Sequence, residues 1–205
     1  MNFLGHLYLT HTADAPLQVG NFLADSVKGD PYRRLPLRIA DGVMLHRAID
    51  TYTDSHPEVE HMVALLHARV GRVAPVAVDM VMDHILSRNW ALWHPDPLPE
   101  WAAQKYALLG ANSRHFPERV GSFFVHMVQH DWLSAYGTDK GLRRSLEGLS
   151  SRLSFQSDLV LAADCYAQHR EVMDACFGRF MTDVTGHVKA HSLFGACIST
   201  NRVSV

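Results

Sequence analysis

Residues 76–93 read VAVDMVMDHILSRNWALW, and this stretch decides the fold. Apolar residues fall on every side of the helix that this sequence would form, so we predict that the helix is buried. Pro75 suits its first turn, because the amide hydrogen that proline lacks would have no partner there. A buried carboxylate is costly unless it is paired or binds a metal ion, so ionisable residues here indicate either a functional site or a structural ion pair. Those residues are Asp79, Asp83, His84 and Arg88.

The composition is that of a soluble globular chain. Its 205 residues are 47% hydrophobic and 20% charged, which is enough for one domain with a substantial core. The formal net charge of −2 argues against a dedicated nucleic-acid binder, and no apolar run is long enough to span a membrane. The start of the chain lacks the features of a secretory signal, and the three cysteines have no metal-type spacing. We therefore expect a cytoplasmic protein with reduced thiols.

Helical periodicity recurs along the chain, and no convincing strand-type alternation interrupts it. The helices before residue 76 are predicted for residues 2–9, 16–26, 37–53 and 57–70. Beyond the proline-rich segment 94–99, helices are predicted for residues 100–113, 118–135, 139–149 and 157–180. Residues 181–205 lose clear periodicity and are predicted to form a loosely docked tail. We therefore expect an all-α, single-domain, multi-helix bundle over residues 1–180.

Polar side chains lie on helices that are otherwise apolar, several of them four residues apart and thus on one helix face. The candidate metal ligands are His6, Asn21, Asp25, His46, Asp50, Asp83 and His84. Gly42, one turn before His46, indicates close approach by another backbone or by a ligand. Helical bundles often build metal sites from inward-facing residues of different helices. Carboxylate and imidazole ligands without thiolate suit Mn²⁺, Mg²⁺ or Fe²⁺ better than a structural zinc site.

Four segments of the sequence resemble the bacterial acyl carrier protein phosphodiesterase family, also called acyl carrier protein hydrolases. They are MNFLGHLYL at residues 1–9, GNFLADSVKG at 20–29, GVMLHRAIDTYTDSHP at 42–57 and VAPVAVDMVMDHILSRNW at 73–90. The C-terminal half resembles the family only in being helical. The resemblance implies a cytoplasmic enzyme that removes the 4′-phosphopantetheine arm from holo-acyl carrier protein. It also implies a divalent metal, Mn²⁺ or Mg²⁺, and an HD-domain-like fold distantly related to HD-type phosphohydrolases.

With this resemblance, each candidate residue receives a hypothetical role. The metal ligands are Asp25, His46, Asp50, Asp83 and His84, with His6 and Asn21 as the next candidates, and Mn²⁺ is the favoured ion. Arg47 or Lys28 would hold the phosphate, because each offers a cation. Asp79 would orient a ligand. Asp54 and His56 belong either to a helix cap or to the catalytic site.

Basic residues cluster in the stretch 28–47. They are Lys28, Arg33, Arg34, Arg38 and Arg47, with only two acidic residues among them. Because the carrier protein is small and strongly acidic, Arg33, Arg34 and Arg38 form a predicted landing surface that attracts it over a distance, an effect that weakens with salt. The alternative is an ordinary solvated loop.

Two other functions fit the same residues. An HD-like phosphohydrolase that acts on a small nucleotide or a free phosphodiester would be active without a protein substrate. A non-catalytic helical module that binds carrier protein would use its acids in structural ion pairs and would hold no divalent ion. The sequence contains no Gly-rich phosphate loop, no Gly-x-Ser-x-Gly motif and no paired-cysteine motif, so the kinase, serine hydrolase and zinc-finger classes have no support.

Overall fold

The computed structural model describes residues 1–155 and 157–195. Within these ranges the chain folds into helices joined by short loops and contains no strand, which confirms the predicted all-α class. None of the described helices is long and apolar enough to cross a membrane. The α-helices are, in chain order, α1 Phe3–Leu9, α2 Ala15–Leu23, α3 Leu37–Asp54, α4 Pro57–Val70, α5 Ala74–Arg88, α6 Leu98–Ala111, α7 Glu118–Gln129, α8 Trp132–Ala135, α9 Asp139–Ser150, α10 Leu161–Gln168, α11 Arg170–Ala190 and α12 Ser192–Gly195.

Helix α5 is the central element. Most of its residues are buried, and it packs against α1, α4, α9 and α10. An apolar surface on every side of a helix requires neighbours on every side, so the sequence predicts this burial correctly. The helix begins with Pro75 in its first turn and ends at Arg88. It is shorter than predicted, because the chain continues as a separate 3₁₀ turn at Trp90–Leu92.

Helices α2 and α3 approach each other closely at two glycines. A Cβ atom added to Gly20 would lie 1.9 Å from the carbonyl oxygen of Ile39. One added to Gly42 would lie 2.2 Å from the carbonyl oxygen of Leu17. Backbone atoms cannot move aside as flexible side chains do, so both positions require glycine. The close approach predicted from Gly42 is therefore to another backbone, and it brings the polar faces of the two helices together.

Three further predicted ranges are divided or extended differently in the structure. The range 118–135 divides into α7 and α8, because Asp131 adopts a left-handed backbone conformation with φ of 41°. The range 157–180 divides between α10 and α11 at His169. The tail predicted from residue 181 begins as part of α11, since that helix continues to Ala190 and buries Val184. The rest of the predicted tail, from residue 196 onward, lies outside the described residues.

Candidate metal centre

Two histidines and two aspartates converge where α1 meets α3. The Nε2 atom of His6 lies 3.0 Å from Oδ1 of Asp50, and Nε2 of His46 lies 3.1 Å from Oδ2 of the same carboxylate. The two imidazole rings stack, with their centroids 3.8 Å apart. Nε2 of His46 also lies 3.3 Å from Oδ1 of Asp25, which follows α2. The structure thus brings four of the predicted ligands into one group, which we call the candidate centre.

The candidate centre lies at the edge of the core and opens on one side to solvent. The side chains of His6 and His46 are buried. The side chain of Asp50 is 41% exposed and that of Asp25 is 71% exposed. The imidazoles are therefore anchored in the protein, while the carboxylates face the side from which an ion or a substrate can approach.

Asn21 fixes the orientation of His46. Its Nδ2 atom donates to the carbonyl oxygen of His6 at 2.8 Å and to Oγ1 of Thr10 at 3.0 Å. Its Oδ1 atom is then left to accept from Nδ1 of His46, at 3.0 Å. Neutral His46 therefore carries its proton on Nδ1 and presents the Nε2 lone pair to the carboxylates. Metal-binding histidines are typically oriented in this way. Asn21 thus contacts a candidate ligand and does not face the carboxylates.

In a neutral His46 the lone pair on Nε2 would point at two carboxylates and would be repelled by them. The arrangement therefore requires a positive charge at Nε2, either a proton or a metal ion. Burial alone would lower the pKa of His46, but its contacts with Asp25 and Asp50 outweigh burial and raise that pKa to about 9. Burial and the neighbouring His46 lower the pKa of His6 to about 4. Burial favours the neutral form of Asp50, yet the two histidines hold its pKa below the ordinary value. The candidate centre is therefore built to hold one positive charge.

The donor set and its spacing fit a divalent ion. Two ligand atoms at right angles around an ion, each about 2.1 Å from it, are about 3.0 Å apart. The separations between nitrogen and oxygen atoms in the candidate centre are 3.0, 3.1 and 3.3 Å. Neither ring nitrogen of His6 has an aligned hydrogen-bond partner, although one lies close to Asp50. A buried polar atom without a partner is costly, and a metal ion would satisfy it.

Asp83 lies outside the candidate centre and caps the start of α1. Its two oxygens accept hydrogen bonds at 3.2, 2.9 and 3.0 Å from the backbone amides of Asn2, Leu4 and Gly5. The carboxylate is completely buried. Burial raises the pKa of Asp83 to about 7, and the Met1 ammonium and the three amide donors oppose a larger rise. Since α1 carries His6, Asp83 supports the candidate centre by holding this helix in place.

Two further carboxylates lie beside the candidate centre. Asp79, one turn before Asp83, accepts a hydrogen bond from the Met1 ammonium at 2.8 Å. Asp54 lies one turn after Asp50 on α3. Burial and the neighbouring carboxylates of Asp79 and Asp50 raise the pKa of Asp54. A carboxyl group with a raised pKa next to a candidate catalytic centre is suited to donate a proton.

Two of the predicted histidines make other contacts. Nδ1 of His84 donates to the carbonyl oxygen of Tyr136 at 2.7 Å, and its ring meets the edge of Tyr166. Successive residues of a helix point in different directions, so His84 faces these aromatic residues while its neighbour faces α1. Nδ1 of His56 accepts from the backbone amide of Glu58 at 3.3 Å. His56 is therefore the N-cap of α4.

Two of the predicted cations hold the fold together. Arg38 is buried, pairs with Asp14 at 2.6 Å and donates to the carbonyl oxygen of Leu193 at 2.6 Å, which ties α12 to α3. Arg47 donates to two carbonyl oxygens of the loop 27–29, at 2.8 and 3.0 Å. Arg47 therefore fixes the loop that follows Asp25, one of the carboxylates of the candidate centre.

The remaining predicted cations are exposed; they are Lys28, Arg33 and Arg34. Arg33 pairs with Asp30 at 3.3 Å, but both side chains are largely in solvent, and such pairs contribute little energy. Tyr32 and Leu37, 45% and 61% exposed, lie among these cations. Exposed aromatic and arginine side chains are enriched in surfaces that bind other proteins. We call these residues the basic surface.

The family model for acyl carrier protein phosphodiesterase matches residues 1–184. The chain belongs to the acyl carrier protein phosphodiesterase family. A relative of that name from Enterobacter sp. (strain 638) is 38% identical over 153 residues, which cover 74% of this chain and 79% of the relative. One from Klebsiella pneumoniae (strain 342) is 38% identical over 184 residues, which cover 88% of this chain and 93% of the relative. No solved structure matches the chain. These matches confirm the resemblance and assign the protein to a family of enzymes.

This member of the acyl carrier protein phosphodiesterase family has a second group of potential ligands between α4 and α11. Glu58, His61 and Cys176 each offer one atom, and these atoms lie within 4.8 Å of one another. However, Arg179 binds Glu58 through two hydrogen bonds of 2.6 and 2.7 Å and lies 3.5 Å from the sulfur of Cys176. A metal ion there would face the guanidinium, which carries the same sign of charge. The second group is therefore an ion pair and fits a metal poorly.

The contacts made by the start of the chain were not predicted from the sequence. Met1 binds Asp79, and the amides of the first helical turn bind Asp83, across a separation of about eighty residues. The only sequence signal was the presence of two carboxylates on a helix with no polar face. That signal predicts a compensating partner but does not identify it. In this acyl carrier protein phosphodiesterase family member, the partners are backbone and terminal nitrogen atoms.

Proposed function

We propose that the protein is a cytoplasmic, metal-dependent phosphodiesterase that removes the 4′-phosphopantetheine group from holo-acyl carrier protein. The products would be apo-carrier protein and free 4′-phosphopantetheine. The observation that carries the proposal is the convergence of the two Nε2 atoms of His6 and His46 with the carboxylate of Asp50. Their carboxylate and imidazole donors favour Mn²⁺, with Mg²⁺ or Fe²⁺ as alternatives.

Each of the other site residues has a proposed role in the reaction. A divalent ion at the candidate centre would activate water and neutralise charge on the phosphoryl oxygens. Lys28, on the loop that Arg47 fixes, offers its ammonium to the phosphate. Asp54 has a raised pKa and donates a proton to the serine oxygen as that oxygen leaves phosphorus. Asp79 is one of the carboxylates that raise the pKa of Asp54.

The basic surface supports the choice of an acidic protein as substrate. It begins at Lys28, three residues after Asp25 of the candidate centre, so a partner that covers it would lie close to that centre. Arg33 and Arg34 are exposed, which leaves them accessible to carboxylates of a partner. Buried Arg38, which the sequence analysis assigned to the same surface, contributes by holding α3 in place. Long-range attraction of this kind raises the association rate more than the final affinity.

The decisive experiment is incubation of holo-acyl carrier protein with the enzyme and Mn²⁺, followed by intact mass measurement of the carrier protein. We expect loss of the mass of the prosthetic group, and we expect Asp50→Asn to abolish it. Asp183→Asn is the matched control, because Asp183 also lies near a buried histidine, His56, at 3.3 Å, but outside the candidate centre. Thermal melts of both variants establish that they fold.

Three outcomes would overturn the proposal. Full activity of Asp50→Asn would exclude the candidate centre. Cleavage of a small phosphodiester with the holo-carrier protein left intact would favour a small-molecule phosphohydrolase. Tight binding of carrier protein with no cleavage, no bound divalent ion and unchanged stability after chelation would favour a non-catalytic binding module.

A further inference from the structure

A pocket of about 360 Å³ lies between the start of α1 and helices α5, α8 and α9. This volume is within the range of small-molecule sites, about 300–1,000 Å³. Its floor is apolar and is formed mainly by Phe3, Met80, Trp132 and Leu149. None of the residues of the candidate centre lines this pocket. It is therefore a separate place on the molecule to which no role has yet been given.

The mouth of the pocket carries three cations and no acid. Lys140, Arg144 and Arg152 line it and are exposed, and no lining residue is acidic. Within the described part of the chain none of these three side chains forms an ion pair, whereas the adjacent Arg143 pairs with Asp164 at 2.5 Å. The pocket therefore offers positive charge that the protein itself does not neutralise.

The sequence of α9 explains how the pocket stays open. Lys140 and Arg144 are four residues apart and Arg152 follows eight residues later, so the three form one row along the helix and its end, opposite the buried leucines that hold α9 to the core. Gly148 occupies the position in this row between Arg144 and Arg152. A Cβ atom added there meets no other atom within 4 Å. A glycine in a helix is unfavourable, and here the missing side chain leaves space in the pocket.

We propose that this pocket binds an aliphatic carboxylate, the anion of a medium-chain fatty acid. Its chain would lie on the floor formed by Phe3, Met80 and Trp132, and its carboxylate would meet Arg144 and its neighbours in the row. A compact polar anion would leave the apolar floor uncovered, and a neutral hydrocarbon would make no charge-assisted contact with the three cations. The proposal goes beyond the proposed function and does not depend on it, because it concerns binding alone.

The test is a calorimetric titration of the full chain with octanoate, decanoate and dodecanoate. We expect the affinity to rise about fourfold for each added methylene group, as burial of an aliphatic chain requires. Arg144→Glu should weaken decanoate binding by about tenfold or more, because it replaces a charge-assisted contact by a repulsive one. Arg119→Glu, which reverses an exposed arginine on α7 away from this pocket, is the matched control and should change nothing.

A second variant fills the pocket without changing its charge. Gly148→Leu should fold, since leucine is the better helix former and the site is open, and it should abolish decanoate binding. A change in tryptophan fluorescence on addition of decanoate, lost in Trp132→Phe, gives an independent readout at the pocket floor, because the chain has four tryptophans.

Each contrary outcome overturns the proposal. Failure of the wild-type chain to bind decanoate would exclude a fatty-acid site. Equal binding to 1-decanol would exclude a role for the cations, and binding of 4′-phosphopantetheine in place of decanoate would assign the pocket to a phosphate ligand. Undiminished decanoate binding by Gly148→Leu would place the ligand elsewhere. Failure to bind decanoate leaves the phosphodiesterase proposal unchanged, because no residue of the candidate centre lines this pocket.

Discussion

Replacement of Asp83 by alanine separates a structural role from metal binding. Its carboxylate accepts hydrogen bonds from three amides at the start of α1, of which those of Leu4 and Gly5 are buried. Alanine would leave these donors without partners, at about 1–3 kcal/mol for each donor that water cannot reach. The removal of one buried carboxylate offsets part of this cost, because its desolvation is also removed. We expect the free energy of unfolding to fall by about 3–5 kcal/mol in total.

The assay is urea unfolding of the metal-free protein, with chelator present throughout. A loss of stability appears as a lower midpoint at an unchanged slope. For a domain of this size the same loss lowers Tm by about 6–20 °C. Asp83→Asn, which retains one acceptor oxygen, should lie between the wild type and Asp83→Ala. Asp50→Ala is the matched control in the candidate centre and should cost only about 1 kcal/mol, since the side chain is half exposed.

The same variants distinguish the two interpretations of Asp83 when metal is added. If Asp83 only caps α1, Mn²⁺ should stabilise folded Asp83→Asn as much as it stabilises the wild type. Asp50→Ala should gain nothing from Mn²⁺. The structural role would be refuted if metal-free Asp83→Ala were as stable as the wild type and Mn²⁺ no longer stabilised this variant. Asp83 would then be a metal ligand, as the sequence alone predicts.

Three further predictions concern the candidate centre and the basic surface. Metal affinity should rise by up to about tenfold for each pH unit below pH 9, because His46, with a pKa of about 9, must lose a proton before a metal binds. Metal titrations at pH 6, 7 and 8 test this prediction, and an affinity that does not change with pH contradicts it. Asn21→Leu should weaken metal binding by about 10–100-fold in the same titrations, since His46 loses its orienting partner, and unchanged affinity would exclude that role. Reversal of Arg33 and Arg34 to Glu should raise KM for the carrier protein at low salt and much less at high salt, with Arg119→Glu as control; an unchanged KM at low salt would exclude the basic surface as the docking site.

The all-α fold class and the pairing of His46 with Asp50 can both be predicted from the sequence. A period of 3.6 residues in the apolar pattern requires helices, and the spacing of four between His46 and Asp50 places both on one face. Asn21 illustrates the limit of such reasoning. Its amide can serve equally as a ligand or as a hydrogen-bond acceptor, and only the positions of His6 and Thr10 show that the oxygen turns toward an imidazole.

Contacts between distant segments account for what sequence spacing does not reveal. The burial of Asp83 follows from its apolar surroundings, but its partners belong to a helix at the other end of the sequence. The break between α7 and α8 at Asp131 has a similar origin. The left-handed backbone conformation of this residue leaves no trace in the periodicity of the sequence. The local sequence pattern thus predicts that a charge is buried or that a helix ends in a given region. Tertiary contacts determine which group is the partner of that charge and at which residue the helix ends.

The candidate centre depends on two tethers that contain none of its ligands. The glycine contact between α2 and α3 sets the distance from Asn21 to His46, and the Asp83 cap sets the start of the helix that carries His6. The two imidazoles therefore reach the candidate centre from helices that are fixed independently. Because their nitrogen atoms are held about 3 Å from Asp50 before any ion arrives, little ordering entropy remains to oppose binding. A divalent ion at this centre would have to displace the proton on His46, which would link metal occupancy to pH.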